Sequence, residues 1–562
     1  MSKYLFPLII LLAGQAKALT LTREGVPLVI HESWLPSADF AYERIAVRHV
    51  RAEATRGTIW NVQLEGTSSE IRVLPEKAVA VREVGPGRLA FKLTEEPKHP
   101  LHLAVMDGER PVLYLFLDPA GYGQAGADAI DVRTLGIEAN SENLQTLLIN
   151  QAIADLSAKG GGTLRFLPGR YRTGTIHMRD GVFLHLDEGA VLEASLDLAD
   201  FPLDPPGVEF LDLPKSLRPG VKTRFVLFDH VRNAGVRGRG VIDGQGSERR
   251  RLYKHPRHLM NLVRLVGCEN IFIEGVTLKD SEFWSTHILL SKNIHFDGIK
   301  IYNEIPPPGW NPKNPSFVWN NADGINPDSS SHVTVEHSFF HTGDDCLPVK
   351  NTASFKGELR DVTDITVRAC MMISPVTAMK IGTETLGSRI QRVLFEDIEV
   401  VSTSRVFGAD LKDGVVAEDI TLRDIRVFRC NRPLDLWILH REDSKTQDRF
   451  SNLRNVVIDR LHIRRAAIDD SGSECHIQGR DAEHTVSNVL LRDVRIAGKP
   501  ILSAKDYPIL TNEFLKDIRF EPATPTGLAL LRGFHHRQRA VGECPPGYVR
   551  SCRSRCSKPR RH

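Results

Sequence analysis

Along most of this 562-residue chain, short runs place apolar residues two apart, with polar residues between them and a polar turn position at the end. From residue 19 to about 125 the runs "RIAVRHVRAE", "TIWNVQLEG", "KAVAVREV" and "PVLYLFLDP" are separated by Gly and Pro. That pattern predicts a small antiparallel β-sandwich. A Gly-containing stretch follows and reads as a linker at 126–139. Next, "NSENLQTLLINQAIADLSAKGGG" carries Leu144, Leu147, Leu148, Ile153 and Leu156 at helical spacing, with Ser141 and Asn143 as caps and Gly160 as the stop.

Beyond that helix one unit recurs. "ENIFIEGVTL" begins at Glu269, "KNIHFDGIKI" at Lys292, "SHVTVEHSFF" at Ser331, "TDITVRACMM" at Thr363, "QRVLFEDIEV" at Gln391, "EDITLRDIRV" at Glu418, "RNVVIDRLHI" at Arg454 and "SNVLLRDVRI" at Ser487, so starts lie 23 to 39 residues apart. Such irregular spacing fits solenoid coils whose loops vary around a fixed strand core better than regular propeller blades, with a propeller or sandwich array as the alternative fold. The expected fold is all-β: a right-handed parallel β-helix over 140–530, capped by the helix at 144–158 and preceded by the sandwich at 19–125. The helix would cover the first coil's open edge.

Composition adds boundaries. Lys plus Arg number 73 against 70 Asp plus Glu, a near balance that gives no reason to expect nucleic acid as partner. Residues 1–18, "MSKYLFPLIILLAGQAKA", join Lys3, an apolar run and Ala16-Lys17-Ala18, the pattern of a cleaved secretory signal. The run is shorter than the roughly 20 apolar residues a spanning helix needs. A secreted or periplasmic monomer without membrane attachment is expected. Cys268, Cys346, Cys370 and Cys430 sit in apolar stretches and are expected to be buried thiols; the basic tail 531–562, with Cys544, Cys552 and Cys556, is expected to be disordered.

The candidate chemistry lies in "WNNADGINPDSSSHVTVEHSFFHTGDDCLPVKN", where Asp344 and Asp345 follow Asp323 by 21 and 22 positions. That is one coil, so the three acids fall on neighbouring strands about 5 Å apart. Crowded carboxylates split their pKa values, keeping one protonated and another ionised. Those are the two species that break a glycosidic bond, with inversion when they stand about 6.5–9.5 Å apart. Three carboxylates also suit Ca²⁺, which a β-helix polysaccharide lyase would use.

"NADGINPDSS" resembles the Asn-Thr-Asp-Gly signature of glycoside hydrolase family 28, the polygalacturonase family, and its "PDSS" looks like the exo-acting members. "TGDDCLPVKN", "GVIDGQG" at 240–246 and "DSEFWSTHI" at 280–288 are similar to further blocks of that family. The resemblance implies a secreted enzyme hydrolysing a pectin-like polysaccharide or oligosaccharide without metal or other cofactor, with Asp344 as general acid and Asp323 and Asp345 holding the attacking water. It also implies substrate contacts from Asn321, Thr377 and Lys412; Lys380 on the preceding coil is read as a second cation, and Trp284 and His287 as a sugar platform, since aromatic faces stack on sugar rings. Two positions depart from the family. Val376, Thr377 and Ala378 stand where it has Gly-His-Gly, and Asp410 stands where it has the arginine of Arg-Ile-Lys. Because Asp410 repels an anionic sugar, a neutral or modified glycan joins galacturonate as a substrate class. A lyase and a non-catalytic glycan-binding β-helix are the other readings.

Overall fold

A computed structural model describes residues 18–37, 44–67, 71–201, 222–252, 259–305, 321–352, 358–438, 449–467 and 474–523. The expected signal segment and basic tail lie outside the described residues, apart from Ala18. Two five-stranded sheets occupy Leu19–Asp118, and a continuous strand ladder runs from Ile130 to Glu521.

The recurring units pair in parallel at a common register. Ile271, Ile294, Val333, Ile365, Val393, Ile420, Val456, Val489 and Ile518 stand on successive coils as direct neighbours. The inward residues from Ile271 to Val489 are almost wholly buried and belong to one continuous core, while the intervening polar residues face out. The fold is a parallel β-helix, as the period of two and the coil spacing predict.

The capping helix spans Thr146–Ala158 and buries Ile149, Ala152, Ile153 and Leu156. It is rotated from the expected face: Leu147 is 78% and Leu148 42% exposed. Residues 144 and 145 stand before the first turn, and no side chain caps the helix; Ser141 instead accepts from the Asn143 N–H in the preceding turn.

The first domain is not wholly antiparallel, because Arg110–Asp118 runs parallel to Arg44–Glu53. Its sheet lies on the solenoid through Leu35, Val47, Leu74, Met106, Tyr114 and Phe116, packed with Tyr302, Phe339, Met371, Ile373, Val401 and Phe428. Inside this contact His341 is fixed from both sides. Its Nε2 donates to the Pro36 carbonyl at 2.8 Å, so its Nδ1 accepts from the Tyr114 hydroxyl at 2.9 Å. Burial pushes its pKa down to about 4, which keeps the ring neutral. His341 lies three residues before Asp344, so the sandwich braces the turn that carries the acids.

A buried ion cluster ties the two parts together elsewhere. Asp118 meets Arg51 at 2.6 Å, Arg239 at 3.2 Å and Lys300 at 3.6 Å, and Asp118 and Lys300 are both wholly buried. Burial pushes the Asp118 carboxyl up and the Lys300 ammonium well down, so Arg51 and Arg239 are the firm partners of a carboxyl that the surrounding cations hold below its usual range. Asp118→Asn would leave these cations without their common counter-charge, a change expected to cost about 3–5 kcal/mol. Thermal unfolding should show a large loss for Asp118→Asn and little for Glu188→Gln, which removes only an exposed partner of Arg239.

Candidate active site

The three acids stand on turns that lead into one stack of strands. Asp323 precedes Ile325–Asp328, and Asp344 and Asp345 precede Leu347–Asn351. Backbone bonds lock these turns side by side: Gly324 N–H donates to Asp345 O at 3.0 Å and Gly343 N–H to Ala322 O at 3.1 Å. Glycine is required at 324 because a Cβ there would lie 2.3 Å from the Cys346 carbonyl oxygen. The close approach of the two turns, rather than an unusual backbone angle, fixes that choice.

All three acids are buried, Asp344 being the most open at 8%. Burial, together with repulsion from Asp344 and Asp345, lifts the Asp323 carboxyl well above its usual range although Lys350 opposes the shift. Burial and then the Asp345 charge push Asp344 up to about 7. The Asp345 N–H donates to Asp344 Oδ1 at 2.8 Å, and Asp345 Oδ2 accepts from Lys380 Nζ at 2.8 Å. The cluster therefore retains a proton near neutral pH, while Asp345 has a cation in contact.

Charges alternate away from the acids. Lys350 Nζ is 3.4 Å from Asp323 and 3.1 Å from Glu384, and Lys350, Lys380 and Lys412 together hold the Glu384 carboxyl down to about 2 although burial pushes it up. Lys380 reaches Asp410 at 3.7 Å. Arg405 grips Asp410 at 2.7 and 3.0 Å, Asp435 at 2.9 Å and the Thr377 hydroxyl at 3.1 and 3.3 Å, which engages all five of its N–H donors. Trp437 Nε1 donates to Asp410 at 2.6 Å, and the His476 ring lies against Trp437, tilted by 32° with centroids 4.1 Å apart.

These contacts revise several expectations. Thr377 is wholly buried beneath Arg405, so it supports the guanidinium instead of touching substrate. His287 is wholly buried and bonded to Asp328 at 2.9 Å, and Trp284 is 4% exposed, stacked on Phe283 and overlain by the Lys350 ammonium at 4.2 Å. The expected sugar platform is absent from these two residues because their rings are spent on packing. Lys380 lies inside the acid cluster, Lys412 is buried beside Glu384, and Asn321 is exposed at the rim.

Sequence reasoning missed Lys350, Glu384, Arg405, Asp435, Trp437 and His476. Lys350 had a signal, since it ends the "GDDCLPVK" block on the strand that Asp345 introduces. Arg405 had a fainter one in Gly408, where a Cβ would lie 2.7 Å from the guanidinium carbon.

The molecule is thus a parallel β-helix whose coil turns gather three buried carboxyls, laced by lysines and an arginine. Residues 215–356 match the profile of Glycosyl hydrolases family 28. A probable polygalacturonase of Vitis vinifera is 29% identical over 286 residues, covering 49% of this chain and 55% of its own length. The chain spans about half the length of the curated relatives it matches first. Among solved structures, a hyperthermoactive exopolygalacturonase from Thermotoga maritima matches at a TM-score of 0.54, with 19% identity over 71% of this chain and 93% of that one. A family 28 exopolygalacturonase of Yersinia enterocolitica matches at 0.52, with 14% identity over 87% and 99%. These two structures share its fold. Over residues 215–356 the chain is thus similar to glycosyl hydrolase family 28.

Proposed function

We propose that this protein hydrolyses O-glycosyl bonds of a pectin-like polysaccharide by inverting general acid–base catalysis. The observation that carries the reading is the buried trio of Asp323, Asp344 and Asp345, with Asp344 held protonated near neutrality. Asp344 gives its proton to the glycosidic oxygen as the bond to the anomeric carbon breaks. Water attacks that carbon from the opposite face and loses its proton to Asp345, whose charge Lys380 steadies. The upward shift of Asp323 changes its expected part: a neutral carboxyl there holds the water by hydrogen bonding, and one ionised base suffices.

Arg405 matters for the substrate class. The guanidinium is present at the floor, but Asp410, Asp435 and Thr377 use all its donors, so it has none left for a uronate carboxylate. Lys380 and Lys412 remain the cations for an anionic sugar. An exo mode rests on the resemblance of Pro327–Ser330 to exo-acting members, and export rests on residues 1–18; among the described residues no helix is long and apolar enough to cross a membrane.

Purified protein incubated with EDTA and a panel of polygalacturonate, rhamnogalacturonan, xylogalacturonan and neutral glucans tests this reading. Release of reducing sugar of inverted anomeric configuration, resolved by NMR, and of monomer-sized product is expected from at least one pectic substrate. An unsaturated, ultraviolet-absorbing product would make the protein a lyase instead, and binding without turnover would make it a glycan-binding protein.

A further inference from the structure

On the outer face of the solenoid, away from the acid trio in sequence, three metal-binding side chains meet. His295 and Asp297 alternate with the buried Ile294 and Phe296, so both project outward from the strand Lys292–Asp297. Parallel pairing sets Glu336 directly beside Asp297 on the next coil. One ligand atom from each of His295, Asp297 and Glu336 lies within 4.8 Å of the others.

We propose that His295, Asp297 and Glu336 form a binding site for a divalent transition metal of the Zn²⁺ class. An imidazole with two carboxylates suits such an ion better than Ca²⁺, which prefers oxygen alone. To hold the ion, side-chain rotation would have to draw these atoms onto a shell of about 2.0–2.2 Å, and three protein ligands leave a position for water. The His295 ring nitrogens have no hydrogen-bond partner among the described residues, whereas the carboxylates already have the outer contacts that orient ligands. His337 Nδ1 bonds Asp297 Oδ1 at 2.7 Å, the Tyr122 hydroxyl reaches Asp297 Oδ2 at 3.3 Å, and Arg368 pairs with Glu336 Oε1. His99 stacks on His337 with ring centroids 4.1 Å apart. His99 and Tyr122 bracket the last two strands of the first domain, Leu101–Asp107 and Arg110–Asp118, so an ion here pins that segment to the solenoid. The site is independent of the glycosidase reading.

The test is Zn²⁺ binding to the full chain after EDTA treatment and dialysis, by calorimetry and metal analysis. His295→Ala and Glu336→Gln should each bind one equivalent less than the wild type, while His332→Ala, which alters an exposed histidine on the same sheet, should bind as the wild type does. Tyr122→Phe should weaken that equivalent by about tenfold. Wild-type stoichiometry in His295→Ala, with its fold verified by circular dichroism, would overturn the site, as would no Zn²⁺ bound by the wild type.

Discussion

Asp344→Asn is expected to lower kcat by about 10²–10⁴-fold, the usual contribution of a positioned acid, and at the same time to stabilise the protein above pH 4. The activity loss follows because the amide cannot give a proton to the leaving oxygen. The stability gain follows from linkage. Burial lifts the folded carboxyl from 3.8 to about 7, so its favourable contribution is complete below the unfolded value and fades as pH rises toward 7. Asparagine has no ionisation to oppose. The difference should grow between pH 4 and 7 and level off above, reaching a few kcal/mol at about 1.4 kcal/mol per unit. Wild-type kcat should fall on the alkaline side near pH 7, as Asp344 loses its proton. Steady-state rates and thermal unfolding at pH 4, 6 and 8 check both halves; a pH-independent difference in stability would remove Asp344 as the raised group.

Arg405→Leu should have the second large effect. It removes the guanidinium shared by Asp410, 5% exposed, and Asp435, wholly buried; Asp435 keeps Arg432 at 2.8 Å, whereas the cation left to Asp410 is Lys380 at 3.7 Å. Removing one partner of a buried ion pair costs about 3–5 kcal/mol. The stranded Asp410 should also draw Lys380 away from Asp345. Lys380 holds the Asp344 pKa down, so the alkaline limb of activity should move to higher pH. Arg405→Leu/Asp410→Leu should recover part of the stability, because the uncompensated carboxylate is gone. A double-mutant cycle measures this; strict additivity would mean that the pair is not energetically linked.

The solenoid was legible because its cause is local. Each strand alternates apolar and polar residues, and a parallel stack places like positions together, so Ile271, Ile294, Val333 and their successors had to share a core. The acids were legible for the same reason: one coil of separation makes Asp323 a neighbour of Asp344 and Asp345. The face of the capping helix was misread because Leu147 and Leu148 fit a helical stripe as well as Ile149 and Ile153 do. Only the position of the first coil beneath the helix chooses between those stripes.

By itself, then, the sequence determined the strand period, the coil spacing and the crowding of three carboxyls, since these depend on residues within a coil or one coil apart. Tertiary structure decided the rest. Whether Trp284 and His287 face a sugar or the interior depends on Phe283, Lys350 and Asp328, brought together from three coils. That Asp410 recruits Arg405, and so keeps a guanidinium at the floor while occupying it, depends on side-chain reach over Gly408. The bracing of His341 by Tyr114 and Pro36 joins groups more than 200 positions apart, and no periodicity encodes such a contact. Side-chain packing and charge pairing across distant segments set those outcomes, because each depends on which buried donor or cation lies within about 3 Å once the coils have stacked.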